Sequence, residues 1–200
     1  MERRCAGLAD YKDQFIKNIL EIEIENWNNA KIENRDERSL DGFITVRGTM
    51  FKTWSIGALE SYYEDLCNYK RDNINIMTLK YARVGNLIPR INDNPLIDEV
   101  VKIETKWQEE VRNKYPNVIR DNSEVFLQYL IAELESYSEE TLRLCFYDVM
   151  EAKENNVNLA EERYKMLFGE LGYSSLKEAD EAAKERIVQT DNCAAGFQST

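Results

Sequence analysis

Apolar residues recur along the chain at the spacing of amphipathic helices. A stripe between residues 59 and 66 follows the i, i+3, i+4, i+7 rule of a helix face, and a stripe between residues 142 and 149 repeats it. The members are Leu59, Tyr62, Tyr63 and Leu66 in the first, and Leu142, Cys145, Phe146 and Val149 in the second. No stretch shows the apolar–polar alternation, bounded by turn residues, that is typical of strands. The pattern predicts an all-α protein.

The two stripes belong to a longer internal repeat. Asp148 lies 83 positions after Asp65, and the same offset brings NINIMTLKYARVG (73–85) onto NVNLAEERYKMLF (156–168). Other identical pairs are Phe43 with Phe126, Ser55 with Ser138, Leu59 with Leu142 and Lys70 with Lys153. The paired serines precede helical stripes, and the second Asn of each Asn-x-Asn precedes the next helix, as N-caps do. The same helix signals therefore recur in both copies.

This repeat predicts two pseudo-symmetric four-helix halves, about residues 10–88 and 94–171. Because a small helical unit rarely buries all of its apolar surface alone, we expect the halves to pack about a pseudo-twofold axis. They would share one core in a single domain spanning 1–200. A further helix over about 174–188 is expected, followed by a polar, disordered tail over 190–200.

Three stretches resemble a bacterial family of proteins of unknown function, the one numbered 4125. They read DGFITVRGTMFKTW, SYYEDLCNYKRDNINIMTLKYARVG and YLIAELESYSEETLRL. The likeness covers roughly residues 15–178, and it implies a helical bacterial protein without implying a particular reaction. The first loop, NAKIENRDERSLDGF, departs from the Gly-Gly-Arg and Cys-Gln pattern associated with that family, so no role is carried over to it.

Composition narrows the partners. The chain has 26 basic and 37 acidic residues and a formal net charge of −11. Such a surface repels phosphate backbones and anionic lipid, which argues against nucleic acid and membranes as partners. The opening MERRCAGLADY lacks the apolar run of a signal peptide, and no stretch approaches the roughly 20 apolar residues that span a bilayer. We expect a cytoplasmic protein.

Several kinds of chemistry are disfavoured. The chain contains no histidine, which removes the commonest general base and most zinc and haem ligation. Its four cysteines, at 5, 67, 145 and 193, are scattered without a CxxC motif, so reduced thiols are expected. Nucleotide-binding and hydrolase signatures are also missing. The sequence therefore predicts no metal and no cofactor.

Comparing the two copies identifies three charges in positions that should face inward. Arg47 corresponds to Leu130, Glu133 to Met50, and Arg83 to Met166. A buried charge without a partner costs several kcal/mol, so we expect these groups to be paired. The expected pairs are Arg47 with Glu133 across the axis, and Asp65 or Asp148 with Arg83 or Lys80. The hydroxyl groups expected to add hydrogen bonds are those of Tyr62, Tyr81 and Tyr137.

Two interpretations of these residues stay open. One is a satisfied polar network that sets the register of the halves. The other is a polar pocket in which Arg47 and Arg83 bind a small anionic metabolite, and in which Glu133 has a raised pKa and transfers protons. The corresponding functions are a metabolite-binding protein with or without cofactor-free acid–base catalysis, and a non-catalytic protein-interaction or regulatory module.

Overall fold

The computed structural model describes the backbone of residues 2–30, 39–120 and 123–196, with side chains over 10–30, 39–120 and 124–189. This part of the chain forms nine α-helices and no strand, which confirms the all-α class. They are α1 (Glu2–Asn29), α2 (Leu40–Lys52), α3 (Ile56–Arg71), α4 (Ile76–Val84), α5 (Leu96–Lys114), α6 (Ser123–Glu135), α7 (Glu139–Glu154), α8 (Leu159–Glu170) and α9 (Leu176–Gly196). None of these helices combines the length and the apolar character needed to cross a bilayer.

The order of the helices follows the sequence, but the first and last helices extend beyond the predicted bounds, and α1 begins at Glu2, before the predicted start near residue 10. Four helices fall in each predicted half, α1–α4 and α5–α8. The prediction that the last helix ends near 188 is wrong, because α9 continues to Gly196. No proline or glycine interrupts the chain between Leu176 and Gly196, and the run is rich in good helix formers. Residues 31–38 of the first loop and 197–200 of the expected tail lie outside the described residues.

Each Asn-x-Asn motif ends one helix and begins the next. Asn73 and Asn156 have φ values of 58° and 56°, the left-handed conformation that terminates helices and that Asn tolerates. The second asparagine, Asn75 or Asn158, accepts a hydrogen bond from a backbone N–H in the first turn of α4 or α8. The amide of Asn75 also donates to the carbonyl oxygen of Asn26, 2.9 Å away at the end of α1. Helix capping therefore accounts for the recurring motif.

The left-handed backbone at Asn73 gives a first testable prediction. Asn73→Val should lower the free energy of unfolding by about 1–2 kcal/mol, because a β-branched residue is strained at positive φ, whereas Asn73→Gly should be close to neutral. Urea denaturation followed by circular dichroism measures both. Glu64→Val, on the exposed side of α3, controls for the lower helix propensity of valine. Equal losses from the two valine variants would contradict the capping role.

Contacts between the halves are reciprocal. Helix α3 packs against α7, α2 packs against α8, and α4 packs against α6. If α2 corresponds to α6 and α4 corresponds to α8, the contact of α2 with α8 in one direction is the contact of α6 with α4 in the other. In addition, the backbone N–H of Ser138 donates a hydrogen bond to the carboxylate of Asp65 at 3.0 Å. In the same way, the backbone N–H of Ser55 donates to the carboxylate of Asp148 at 2.8 Å. Internal duplication stays a prediction, but reciprocal contacts of this kind are what a twofold arrangement requires.

Candidate functional site

Polar side chains from five helices meet in the core between the two halves. We name this group the charge cluster, and its members are Glu23 of α1, Arg47 of α2, Tyr62 of α3, Lys80 of α4, Glu133 of α6, and Tyr137 just after α6. The residues Glu23 and Tyr62 are 0% exposed, and Arg47 is 8% exposed. With two carboxylates, one guanidinium and one ammonium group, the cluster has no net charge. Mutual attraction and hydrogen bonds among these groups offset the cost of removing them from water.

The centre of the cluster is Arg47, which binds both carboxylates. Its Nε and Nη2 atoms donate to the two oxygens of Glu23 at 2.7 and 2.5 Å. Nη2 also lies 2.9 Å from Oε1 of Glu133, so the predicted ion pair between Arg47 and Glu133 is present. Since Glu23 comes from the first half and Glu133 from the second, the guanidinium joins the halves.

The partner of Arg47 that sequence reasoning missed is Glu23. The copies align loosely upstream of the second helix, so the 83-residue offset assigns no counterpart to this position. Glu104 lies 81 positions after Glu23 and is also buried, so the two correspond at an offset shifted by two residues. In the sequence this pair places a glutamate opposite a glutamate, without the contrast between a charged and an apolar residue that identified the other inward charges.

One oxygen of Glu133 accepts three hydrogen bonds. Oε1 lies 2.8 Å from Lys80 Nζ and 2.8 Å from the Tyr137 hydroxyl, in addition to its contact with Arg47. Burial on its own raises the pKa of Glu133, but attraction by Arg47 and Lys80 and the hydrogen bonds from Lys80 and Tyr137 outweigh it and lower the pKa to about 2. The expectation of a raised pKa is therefore wrong. The reason is that two cations face this carboxylate, where the sequence suggested one.

Lys80 and the two tyrosines complete the hydrogen bonds of the cluster. Lys80 Nζ donates to the Tyr62 hydroxyl at 3.1 Å, and that hydroxyl donates to Glu23 at 2.7 Å. Burial lowers the pKa of Lys80, and the charge of Glu133 partly offsets this effect. Burial raises the pKa of Tyr62 and of Tyr137 well above the ordinary range, so both are neutral. The pairing of Lys80 with Asp65 or Asp148 was a wrong prediction.

Three of the predicted site residues lie elsewhere. Arg83, about one helical turn beyond Lys80, donates through Nε to the fully buried Glu135 at 2.6 Å. Its predicted place beside Arg47 is therefore wrong. Asp65 instead caps the backbone of Ser138, as described above. The ring of Tyr81 packs near those of Trp27 and Tyr129, with centroids 6.3 and 6.0 Å away.

A cavity of about 50 Å³ adjoins the cluster on the side of the second half. We name it the cleft. The lining residues used below are Trp54, Glu104, Leu130, Glu133, Tyr137, Cys145, Asp148 and Arg163. This volume exceeds the minimum that a single water molecule needs. A whole metabolite does not fit, but a small terminal group does.

Two glutamates that line this space each have one oxygen without a hydrogen bond from the described residues. Glu104 is bonded through Oε2 to Arg163, whose Nε donates to the Leu159 carbonyl oxygen. Within the described residues, no hydrogen bond reaches Oε1 of Glu104 or Oε2 of Glu133, whose side chain is 18% exposed. Burial raises the pKa of Asp148, although hydrogen bonds from Ser55 act in the opposite direction. The charged atoms without a hydrogen-bond partner are therefore acceptors, and the indole N–H of Trp54 is a lining donor to which no hydrogen bond is assigned within the described residues.

Neither thiol chemistry nor a metal centre is indicated in the described residues. Cys145, in the cleft lining, is a free thiol, and burial raises its pKa well above the ordinary value, so that it stays protonated and unreactive. Among these residues no group of three or more cysteine and carboxylate side chains is arranged to hold a metal ion.

A second and larger concavity lies beside the first Asn-x-Asn motif. This open groove of about 600 Å³ runs between the end of α1 and α4, and Asn26, Asn75 and Lys70 help to line it. The side-chain amide of Asn75 donates to the backbone carbonyl oxygen of Asn26, and its oxygen accepts a hydrogen bond from the N–H of Thr78. The side-chain oxygen of Asn26 accepts from the N–H of Ile76. Lys70 pairs with Glu25 at 2.6 Å. These polar groups are committed within the protein, so the groove shows less recognition chemistry than the cleft.

Fold and site together define a class: an all-α protein whose two sets of four helices meet at a neutral buried charge cluster with an acidic cleft at its side. The family model described as "Protein of unknown function (DUF4125)" matches residues 13–181. The chain therefore belongs to the DUF4125 family. No curated protein and no solved structure matches it.

Proposed function

We propose that the protein binds, without catalysis, a small ligand that inserts a cationic group into the cleft. The observation that carries this proposal is the arrangement of Glu133. Three donors hold its Oε1 atom, and its Oε2 atom accepts no hydrogen bond within the described residues while the side chain lines the cleft. An ionised carboxylate that is already oriented, with one oxygen free, is a ready acceptor for a cation.

The lining favours a cation over the anionic metabolite expected from the sequence. Its charged groups are the carboxylates of Glu104, Glu133 and Asp148 and a single cation, Arg163, which is paired with Glu104. The Arg47 side chain, which was expected to hold the anion, is committed to Glu23 and Glu133. An anion would therefore meet acceptors, whereas a cation would also gain from the rings of Trp54 and Tyr137.

A binding role suits the cluster better than acid–base catalysis. A general acid or base works best when its pKa lies near the working pH. Glu133, with a pKa of about 2, remains ionised at neutral pH and holds a proton poorly. Lys80 is engaged by Tyr62 and Glu133. The cluster therefore positions Glu133 and does not move protons.

Asp148 and Asp65, which make equivalent hydrogen bonds to backbone N–H groups, provide a matched pair of variants to test cation binding. Butylammonium chloride should bind the native protein in isothermal titration calorimetry, and Asp148→Asn should weaken binding roughly tenfold by removing a charge from the lining. Asp65→Asn makes the same substitution at the equivalent cap, outside the cleft, and should leave the affinity unchanged. Both variants keep an oxygen that can accept the backbone hydrogen bond, so their folding should be similar.

Sodium butyrate, which has the same chain length and the opposite charge, is the ligand control. Binding of butyrate in place of butylammonium would overturn the cationic proposal and favour the anionic metabolite. Binding of neither salt would favour the protein-interaction module. Equal weakening by both aspartate variants would show that the effect comes from capping and not from the cleft.

A further inference from the structure

We infer that the cleft is the second half's counterpart of the charge cluster, and that the cation it takes is a guanidinium group. The inference rests on the proposed function and adds the chemical class of the ligand. The 83-residue offset brings Arg47 onto Leu130, Tyr62 onto Cys145 and Lys80 onto Arg163. All three counterparts line the cleft. Positions that hold polar members of the charge cluster in the first half therefore line a cavity in the second half.

The difference in side-chain size explains the cavity. In the first half, the guanidinium of Arg47 lies between Glu23 and Glu133, beside the ring of Tyr62. In the second half, leucine and cysteine occupy the corresponding positions, and neither reaches as far as arginine or tyrosine. The volume left, about 50 Å³, is that of a small terminal group, and a guanidinium is such a group.

The acceptors for such a group are also in place. Glu104, the counterpart of Glu23, keeps Oε1 free, and Glu133 keeps Oε2 free, within the described residues. Arg47 shows how one planar guanidinium bridges two carboxylates in this fold. The counterpart of Glu133 in this arrangement is Met50, so the second carboxylate of the cleft is Glu133 itself, through its other oxygen. A guanidinium presents several donors in a rigid plane and matches two carboxylates better than the compact ammonium of an alkylamine does.

Arg163 does not substitute for the missing guanidinium. It occupies the position of Lys80 and reaches Glu104 from α8, with its Nε atom held by the carbonyl oxygen of Leu159. It therefore neutralises one oxygen of Glu104 and leaves the other side of the cleft without a cation.

The experiment compares butylguanidinium with butylammonium by isothermal titration calorimetry on the native chain, at millimolar concentrations that do not denature it. We expect the guanidinium to bind at least tenfold more tightly. Glu104→Gln should reduce this preference, because only the guanidinium bridges both carboxylates. Equal or tighter binding of butylammonium would overturn the guanidinium inference while the proposed function stands. Binding of neither cation would overturn both.

Leu130→Arg supplies the guanidinium from within the chain. We expect this variant to show a cooperative unfolding transition and to bind neither cation, because its own side chain fills the cleft as Arg47 fills the first half. Val125→Arg, at an exposed position on the same helix, adds the same charge and should bind butylguanidinium as the native chain does. A folded Leu130→Arg protein with undiminished binding would overturn the inference. If Leu130→Arg does not fold, the Glu104→Gln variant provides the test. An unchanged preference of that variant for butylguanidinium over butylammonium would overturn the guanidinium inference.

Discussion

Arg47→Met should lower the free energy of unfolding by about 3–5 kcal/mol, the usual cost of breaking a buried ion pair by removing one partner. Glu23, which is 0% exposed, would lose both bonds to the guanidinium and retain only the Tyr62 hydroxyl. Methionine fills much of the same volume, so the loss would reflect the uncompensated carboxylate more than a cavity. Urea denaturation followed by tryptophan fluorescence and circular dichroism measures this change.

Arg143→Met is the matched control. Arg143 pairs with Glu140 at 2.6 Å on the exposed side of α7, and exposed pairs contribute about 1 kcal/mol or less. The double variant Arg47→Met with Glu23→Leu removes both charges and should recover a large part of the stability lost by Arg47→Met alone. Similar losses for Arg47→Met and Arg143→Met would show that the charge cluster does not hold the halves together.

The second large effect should appear at acid pH. The folded protein holds the pKa of Glu133 at about 2, below the ordinary 4.5, and therefore favours its ionised form. The resulting stabilisation is fully present above about pH 4.5 and is lost as the pH falls towards 2. It amounts to roughly 3 kcal/mol, from the free energy equivalent of each pKa unit. Urea denaturation at intervals between pH 5 and pH 2.5 should show this decline.

Glu133→Gln should flatten the decline between pH 5 and pH 2.5, because the group that titrates is gone. It should also be less stable at pH 7, since the neutral amide leaves the cluster with an excess positive charge. Glu140→Gln removes an exposed carboxylate whose pKa is also lowered, by its hydrogen bond with Arg143, and should change the profile far less, because solvent screens an exposed pair. An unaltered acid dependence in Glu133→Gln would contradict the assignment to Glu133.

Local signals were enough to predict the helical class and most helix boundaries. Ser55 and Ser138, with Asn75 and Asn158, cap helices where the sequence placed them, because capping depends on residues only a few positions apart. The pairing of Arg47 with Glu133 was predictable for a different reason. Each occupies a position where the other copy has an apolar residue, so both had to be buried and needed partners.

Features that depend on relations between helices were not predictable in this way. Glu23 was missed because the offset between copies changes upstream, and a partner on another helix leaves no local pattern. The pKa of Glu133 was assigned in the wrong direction because it depends on Lys80 as well as Arg47, and these come from separate helices. Arg83 was misplaced because one turn of α4 decides whether a side chain meets Glu133 or Glu135.

The sharing of the cluster between the halves has an evolutionary consequence. Residues up to 88 contribute Glu23, Arg47 and Lys80, which leaves one positive charge in excess, and the balancing carboxylate of Glu133 comes from beyond residue 94. A gene fragment encoding either half alone would expose a surface with an unmatched ion where its partner belongs. If the chain arose by duplication of a single ancestral unit, the division of these charges made each copy depend on the other for the partners of its buried ions.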